Sequence, residues 1–339
     1  MTNAAHDCKD QSRLLRLRHL YARIASAIRS GMNKKPSLIV IVGPTASGKT
    51  ELALRVAKKF NGEIISADSR QVYKNLTIGT AKVSGGWKKK IYVSEGIPHF
   101  CIDVASPKKI FTAADFKTCA RIAIAGMCAR KKIPIIVGGT GFWVDTLLYD
   151  INLPHVPPNV ALRKKLEKKS VSYLFDILKK VDPDRAAAIE QKNPRRLIRA
   201  IEIAAAIGHT PPMIKKNPYR ALWIGVLPRK DILIRSIRAR SRAMIRAGLV
   251  AETKKLQAKR VSKKRIREFG FEYAAALDVI EKKIPQSRLP EILARETIKY
   301  AKRQMRWFKR NADIHWVTTA RKAEEYVKKF IAGRKMTRS

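Results

Sequence analysis

The residues from Gly43 to Thr50 have the types and spacing of a phosphate-binding loop. The apolar run over residues 38–42 precedes the sequence G-P-T-A-S-G-K-T, and a helical pattern follows from Glu51. In a strand, glycine-rich loop and helix of this kind, backbone N–H groups and the positive end of the helix dipole converge on a phosphate chain. The glycines let the backbone wrap the anion, Lys49 adds a positive charge, and the Thr50 hydroxyl can bind Mg²⁺. The loop therefore predicts a site for a di- or triphosphate.

Asp68 is the second residue whose position suggests chemistry. It stands directly after residues 63–66, a short run that predicts a buried strand. Because the carboxyl ends of parallel strands meet at one edge of a sheet, this carboxylate is expected to face the same site as the phosphate-binding loop. In a P-loop ATPase an aspartate at a strand end holds Mg²⁺, so its position alone is compatible with an ATPase or a kinase.

The chain of 339 residues is strongly basic. Its 72 Lys and Arg residues against 27 Asp and Glu residues give a formal charge of +45, spread along the sequence. The electrostatic field of such a charge attracts polyanions, of which nucleic acid is the commonest. A lysine-rich proteome or a salt-adapted host would give the same excess, so the charge supports a nucleic-acid partner only together with a motif.

Composition excludes several other classes of protein. Hydrophobic residues make up 45% of the chain, which excludes a disordered protein. No apolar stretch approaches the roughly 18 residues needed to cross a bilayer, so no membrane association is expected. The cysteines lie far apart without C-x-x-C spacing, which predicts reduced thiols, no zinc site and a cytoplasmic location. They are Cys8, Cys101, Cys119 and Cys128.

Seven ordered motifs over residues 37–317 resemble those of the tRNA dimethylallyltransferase family, the isopentenyl transferases that act on the adenosine 3′ to the anticodon. The first two are G-P-T-A-S-G-K-T from Gly43 and S-x-D-S-x-x-x-Y-K-x-x-x-I-G-T-A-K from Ser66. The other five begin at Ala113, Val137, Asp182, Asn193 and Lys302.

The resemblance implies a reaction and the residues that carry it out. In the family the P-loop holds the diphosphate of dimethylallyl diphosphate rather than ATP, and the general base matches Asp68. A base assists because the lone pair of adenine's exocyclic amine is delocalised into the ring. Lys49, Arg240 and Mg²⁺ held by Thr50 would stabilise the charge on the departing pyrophosphate. The implied diphosphate-binding residues are Gly43, Pro44, Thr45, Ala46, Ser47, Gly48, Lys49 and Thr50.

The family also implies which residues contact the anticodon stem-loop of tRNA. A basic helix face opposite an apolar one is normally only solvated, so the polyanion interpretation of the C-terminal helix depends on the family. Phe271 replaces the family's tyrosine, which keeps base stacking but loses the hydrogen bond of the hydroxyl. The predicted tRNA-binding residues are Asp68, Ser69, Arg70, Gln71, Thr140, Arg195, Arg196, Leu197, Ile198, Arg199, Phe271, Lys302, Arg303 and Arg306.

Three other functions stay open. An adenylate isopentenyltransferase that modifies free nucleotide would share the loop and Asp68 but would not need the long basic region after residue 150. A P-loop kinase would use Asp68 to hold Mg²⁺ and would hydrolyse ATP. A non-enzymatic RNA-binding module would account for the charge but would leave the phosphate-binding loop unexplained. Modification of tRNA is therefore the preferred function.

Strand and helix signals alternate along most of the chain, with helices such as residues 113–129 between predicted strands. The strands are predicted at residues 38–42, 63–66, 100–104, 133–137, 221–226 and 314–317. This alternation predicts an α/β fold with a P-loop NTPase-like parallel sheet flanked by helices and a site at the carboxyl ends of its strands. Lys49 and Asp68 should then line one cavity.

The alternation stops over residues 151–218, a basic, helical stretch bounded by prolines. We expect this stretch to be a mainly helical, tRNA-binding insertion into a P-loop core formed by residues 37–150 and 219–320. Residues 1–36 are predicted to be a basic extension that is poorly ordered or lies upstream of the true start, and residues 321–339 to be a basic tail. The protein is expected to act as a monomer.

Overall fold

A computed structural model describes residues 35–333 of the chain, which contain one eight-stranded sheet. The strands are β1 (Ser37–Val42), β2 (Gly62–Ser66), β3 (Gly86–Lys88), β4 (Ile91–Ser94), β5 (Ile97–Phe100), β6 (Ile133–Gly138), β7 (Arg220–Val226) and β8 (Ile314–Val317). Their spatial order is β3-β4-β5-β2-β6-β1-β7-β8. The predicted extension over residues 1–36 lies outside the described residues except for Lys35 and Pro36.

Helices follow or separate most of the strands, and within residues 35–333 none combines the length and apolar character needed to span a membrane. A 3₁₀ turn, Gln286–Arg288, precedes the longest helix of the described residues. The α-helices are α1 (Lys49–Lys59), α2 (Ala113–Ala129), α3 (Gly141–Leu148), α4 (Val160–Leu166), α5 (Val171–Val181), α6 (Pro183–Ala188), α7 (Pro194–Ile207), α8 (Lys230–Arg246), α9 (Leu249–Ala258), α10 (Lys263–Glu268), α11 (Phe271–Ile280), α12 (Leu289–Phe308) and α13 (Ala320–Ile331).

The centre of the sheet is parallel, which confirms the predicted α/β fold class. β1 pairs in parallel with β6 and β7, and β2 pairs in parallel with β5 and β6. All residues of β1 after Ser37 are buried, as expected for a parallel strand covered on both faces. The carboxyl ends of β1 and β2 therefore lie at the same edge of the sheet, where the phosphate-binding loop and Asp68 begin.

One edge of the sheet is antiparallel, which the sequence analysis missed. β4 pairs antiparallel with both β3 and β5. The predicted strand over residues 100–104 is also wrong in its bounds, because β5 ends at Phe100. Cys101 and Asp103 have φ of 56° and 55°, a left-handed conformation that a strand does not accommodate.

The end of the described chain is a packed helix rather than a tail. Ala323, Val327 and Phe330 of α13 are buried in the same apolar cluster as side chains of α1 and of the central strands. Spacings of four and three residues place the three side chains on one helix face. The predicted basic tail is therefore wrong for residues 321–331, and residues 334–339 lie outside the described part of the chain.

The prediction of reduced thiols is wrong for one pair of cysteines. Cys101, just after β5, and Cys119, in α2, form a disulfide with their Cα atoms 6.1 Å apart. Sequence spacing could not detect this pair because disulfide formation depends on the distance and direction of the Cβ atoms in the fold. Cys128 is a free thiol, and Cys8 lies outside the described residues.

Residues Ile151–Lys216 form a compact unit of their own, which holds α4, α5, α6 and α7. Each of these helices begins at a side chain that accepts a hydrogen bond from a backbone N–H of the first turn, an N-cap arrangement. The unit has its own apolar cluster, which includes Leu174, Leu178, Leu197 and Ile201.

Candidate active site

The phosphate-binding loop connects β1 to α1. Gly43 has φ 149°, and a Cβ there would lie 2.5 Å from the Val226 carbonyl oxygen, so the position requires glycine. Lys49 begins α1, and no side chain in the described part of the chain caps this end. Because the first N–H groups of a helix have no intrahelical partners, the loop presents donors and the positive end of a dipole. Both features favour anion binding.

The hydroxyl of Ser47 adds a further donor to the loop. Ser47 Oγ is buried and has no hydrogen-bond partner among residues 35–333. A buried polar group without a partner costs roughly 1–3 kcal/mol, which a ligand oxygen would recover. The chemistry of the loop therefore fits a phosphate oxygen.

Asp68 follows the carboxyl end of β2. Its Oδ1 accepts hydrogen bonds from the backbone N–H groups of Arg70, at 2.9 Å, and Gln71, at 3.3 Å. These two bonds orient the carboxyl group. No donor among the described residues binds Oδ2, so this oxygen can accept a proton or a hydrogen bond from a ligand.

The loop and Asp68 line one cavity of about 920 Å³, counting space open to solvent. Residues 45–50 of the loop line it, together with Asp68, Arg70, Gln71 and Arg240. The fold thus brings together the three predicted catalytic residues, although Arg240 lies far along the chain in α8. Gly43 and Pro44 stand at the entry of the loop and are not among the lining residues.

Two basic side chains give the phosphate-binding loop its charge. Arg240 Nη1 donates to Thr45 Oγ1 at 2.9 Å, and Lys49 Nζ donates to the Pro44 carbonyl at 3.0 Å. Burial, together with the nearby Arg240 charge, lowers the pKa of Lys49 to about 8, while the Asp68 charge opposes the shift. Burial also lowers the pKa of Arg240. Burial disfavours the charged forms of Lys49 and Arg240, and an anion bound beside them would favour those forms.

Arg70 lines the cavity and is held there by residues of α11 and α12. Its Nη1 forms an ion pair with Glu272 at 2.6 Å, and its guanidinium lies 5.1 Å from the ring centroids of both Phe271 and Tyr300. Burial raises the pKa of Glu272, with the Arg70 charge opposing it. Arg70 and Phe271, both predicted to bind tRNA, are therefore partners of each other in the free protein.

Gln304 of α12 joins two glycine-rich loops. Its Oε1 accepts from the Thr45 N–H at 2.7 Å, and its Nε2 donates to the Gly139 carbonyl at 2.9 Å. Both bonds are buried. One side chain therefore holds the phosphate-binding loop against the loop that follows β6, in which Thr140 accepts from the Ser69 N–H at 3.1 Å.

Sequence reasoning missed several residues of the cavity. Glu272, Tyr300, Gln304 and His99 were given no role, although all four line the cavity. Gln304 belongs to the motif that begins at Lys302, but the motif by itself does not show which of its side chains reaches the cavity. A buried carboxylate one residue after Phe271, and a polar Gln304 in the apolar stripe of α12, are the signals that could have found two of them.

Other predicted tRNA-binding residues lie on an exposed helix face. Lys302, Arg303 and Arg306 of α12 are exposed and, unlike Tyr300 and Gln304, none of them lines the cavity. Among the described residues, no acidic side chain forms a salt bridge with any of the three. They therefore form a basic strip able to contact phosphates.

The predicted residues of the insertion divide into three environments. Leu197 and Ile198 are buried in the apolar cluster of the insertion, so their prediction as tRNA-binding side chains is wrong. The first residues of α7 are exposed, whereas the inward face of the helix carries apolar side chains. Arg196 pairs with Glu190 at 2.8 Å, and Arg199 donates to Glu202 at 3.3 Å. Arg195 is exposed.

Thr50, the predicted metal ligand, lies in the first turn of α1 and lines the cavity. Among residues 35–333 there is no group of three or more His, Cys, Asp or Glu residues that could hold a metal ion by itself. Mg²⁺ on a diphosphate takes few protein ligands and completes its shell with substrate and water oxygens. The Thr50 hydroxyl fits such a donor set.

Two family models match the chain. The model described as IPP transferase matches residues 71–311, and the model described as isopentenyl transferase matches residues 36–93. Together they include the phosphate-binding loop, Asp68 and Arg240.

Known proteins are similar over most of their length. A tRNA dimethylallyltransferase of Halothermothrix orenii is 37% identical over 290 residues, which are 83% of this chain and 87% of the relative. That of an Exiguobacterium species is 39% identical over 298 residues, 86% of this chain and 93% of the relative. The crystal structure of a full-length tRNA isopentenylpyrophosphate transferase from Bacillus halodurans has a TM-score of 0.64 and 34% identity, covering 88% of this chain and 96% of its own. The chain therefore belongs to the tRNA dimethylallyltransferase family.

Proposed function

We propose that the protein transfers a dimethylallyl group from dimethylallyl diphosphate to the exocyclic N6 amine of the adenosine 3′-adjacent to the anticodon in tRNA, with release of pyrophosphate. The observation that carries the proposal is that one cavity contains both an anion-binding loop and a carboxylate with a free oxygen. Family membership supplies the identity of the two substrates.

Asp68 acts as the general base in this proposal. The adenine N6 forms a bond to C1 of the dimethylallyl group, the bond from C1 to the diphosphate oxygen breaks, and the N6 proton passes to Asp68 Oδ2. The backbone N–H groups that bind Oδ1 keep the carboxyl group oriented during this transfer. Proton removal as the bond forms lowers the barrier for a weakly nucleophilic amine.

Lys49, Arg240 and the loop N–H groups stabilise the pyrophosphate as it leaves. Negative charge grows on the diphosphate oxygens as the C1–O bond breaks, and donors already in place stabilise the transition state without reorganisation. The lowered pKa of buried Lys49 is consistent with a group that gains from a bound anion. Mg²⁺, when bound, would neutralise part of the diphosphate charge, and we propose Thr50 as its protein ligand.

The anticodon stem-loop is the proposed macromolecular substrate. The basic strip of Lys302, Arg303 and Arg306 would contact its phosphates, and Arg195 of the insertion would add a further contact. To reach Asp68 the target adenine leaves the loop stack, which costs less for a loop base than for a paired one. We further propose that the protein acts as a monomer in the cytoplasm.

A direct test incubates the protein with tRNA and dimethylallyl diphosphate, and in a separate reaction with ATP alone. Nucleoside analysis by mass spectrometry should find an adenosine heavier by one prenyl group in the first reaction and no nucleotide hydrolysis in the second. ATP hydrolysis without prenyl transfer would identify a P-loop kinase or ATPase instead. Prenylation of free AMP but not of tRNA would identify an adenylate isopentenyltransferase.

A further inference from the structure

Glu252 of α9 binds a turn of the chain that leads into the cavity. Its two carboxylate oxygens accept hydrogen bonds from three consecutive backbone N–H groups, those of Thr77 at 2.9 Å, Ile78 at 2.9 Å and Gly79 at 3.1 Å. We call these three residues the 77–79 turn. Glu252 itself is not among the lining residues of the cavity.

A second contact keeps the turn and the carboxylate together. The Tyr273 hydroxyl donates to Glu252 Oε1 at 2.7 Å. The Tyr273 ring also packs against Gly79, where an added Cβ would lie 2.6 Å from Cζ. Both hydrogen bonds and packing therefore hold the turn against Glu252 and Tyr273.

Hydrogen bonds lead from the turn to Asp68. Thr80 and Ala81, the next two residues, line the cavity, and their carbonyl oxygens accept from Gln71 Nε2 at 3.2 and 3.1 Å. Gln71 in turn donates its backbone N–H to Asp68 Oδ1 at 3.3 Å. Each link is a direct contact, so a displacement of the turn reaches the carboxylate through Gln71.

We propose that Glu252 is a positioning residue that holds Asp68 in its reactive orientation through the 77–79 turn and Gln71. The proposal depends on the proposed function, because it assigns Asp68 as the base. A carboxylate suits this task since it accepts with both oxygens, whereas an amide would direct an NH₂ group at backbone donors. Displacements of about 1 Å in a reacting group can cost on the order of 100-fold in rate.

The test compares Glu252→Gln with the wild type in prenyl transfer and in hydrogen exchange. We expect kcat to fall roughly 10- to 100-fold while KM for dimethylallyl diphosphate stays unchanged, since the phosphate-binding loop is not attached to the turn. Exchange should accelerate in peptides covering residues 68–82 and stay unchanged in peptides covering residues 43–50. Unchanged kcat together with faster exchange at the turn would overturn the proposal.

Glu281→Gln is the matched control. Glu281 also binds several partners, Lys263, Arg267 and Lys283, but none of these belongs to the turn or the cavity. Its substitution should leave kcat unchanged. A kcat loss equal to that of Glu252→Gln would mean that the effect is general destabilisation, and would contradict the proposal.

A double-mutant cycle with Gln71→Leu tests the route of the effect. If Glu252 acts through Gln71, Glu252→Gln should lower kcat much less in the Gln71→Leu background than in the wild type. Fully additive losses would overturn the route.

If Glu252→Gln does not fold, Tyr273→Phe is the alternative variant. It removes one hydrogen bond to Glu252 with little change of volume and should also lower kcat. Failure of the wild type to prenylate tRNA would refute the proposed function instead, and exchange at residues 68–82 would still report whether Glu252 holds the segment.

Discussion

At the scale of single residues, the two oxygens of Asp68 have different environments. Oδ1 is fixed by the backbone N–H groups of Arg70 and Gln71, and Oδ2 receives no donor from the described residues. A base needs both an oriented carboxyl group and a free oxygen within reach of the substrate. The asymmetry therefore fits proton transfer better than a purely structural role.

Replacing Asp68 with Asn should separate catalysis from binding. The amide oxygen can still accept from the two backbone N–H groups, so the local fold is kept, but the amide cannot accept the N6 proton. We expect kcat for tRNA prenylation to fall about 10²- to 10⁴-fold. Affinity for tRNA, measured by filter binding, should be unchanged. Undiminished transfer by Asp68→Asn would remove Asp68 from the role of base.

The lowered pKa of Lys49 predicts an alkaline limit to substrate capture. In the free enzyme Lys49 is charged below its pKa of about 8 and neutral above it. Because the charged form binds the diphosphate, kcat/KM for dimethylallyl diphosphate should fall about tenfold per pH unit above that pKa. The bound diphosphate favours the charged lysine, so kcat at saturation should change less. In Lys49→Arg, whose guanidinium stays charged, the alkaline fall should vanish from the pH profile; an identical fall would assign it to another group.

At the scale of elements, α12 combines two tasks on different faces. Tyr300 and Gln304 are four residues apart and reach the cavity, whereas Lys302, Arg303 and Arg306 are exposed. This separation follows from the 3.6-residue period of the helix. One helix can therefore support the phosphate-binding loop and present positive charge to a polyanion.

The packing of α13 yields a stability prediction. Phe330 is 5% exposed and belongs to the apolar cluster that α13 shares with α1 and the central strands. The Arg220 guanidinium lies 4.2 Å from the centroid of the Phe330 ring. Phe330→Ala should lower the free energy of unfolding by roughly 3–5 kcal/mol, since it removes a large buried side chain. The neighbouring Ile331 is 47% exposed, so Ile331→Ala is a matched control with little expected effect. Urea denaturation measures both, and equal small effects would mean that the helix is not docked.

At the scale of the whole molecule, charge dominates the surface. The formal charge of +45 is what remains after the 27 acidic residues are set against the 72 basic ones, so most Lys and Arg residues have no acidic counterpart in the chain. Excess positive charge accelerates encounter with polyanions and makes their binding sensitive to salt. The electrostatic field of the whole chain, however, does not specify which residues bind tRNA.

Salt dependence can distinguish the basic strip of α12 from the general field. Replacing Lys302, Arg303 and Arg306 with Ala should weaken tRNA binding and reduce the slope of log Kd against log salt by about 2, since each phosphate contact contributes about 0.7–0.9. Arg321, Lys328 and Lys329 of α13 are exposed and provide a control triple substitution with the same change in charge. Filter binding at several salt concentrations measures both. Equal slopes for the two triple variants would show that the strip has no special role.

The phosphate-binding loop, the parallel sheet and the helical character of residues 151–216 could be predicted from the sequence because each depends on residues close together in the chain. Apolar runs define buried strands, and glycines at fixed spacing define a loop. The edge hairpin of β3 and β4 was missed because its short, exposed strand β3 has no strong apolar pattern. The helix α13 was missed because its many basic residues indicated a solvated tail, although Ala323, Val327 and Phe330 form an apolar stripe between them.

Local sequence patterns were enough to predict the parallel strands of the sheet and the anion-binding loop, and the motifs identified Lys49, Asp68 and Arg240. The distant residues that complete the site could be identified only from the folded chain. Arg70 meets Glu272 across 202 residues of sequence, Thr45 meets Gln304 across 259, and Cys101 meets Cys119. Such contacts depend on how whole elements pack, and packing is set by the burial of many side chains at once rather than by any local spacing.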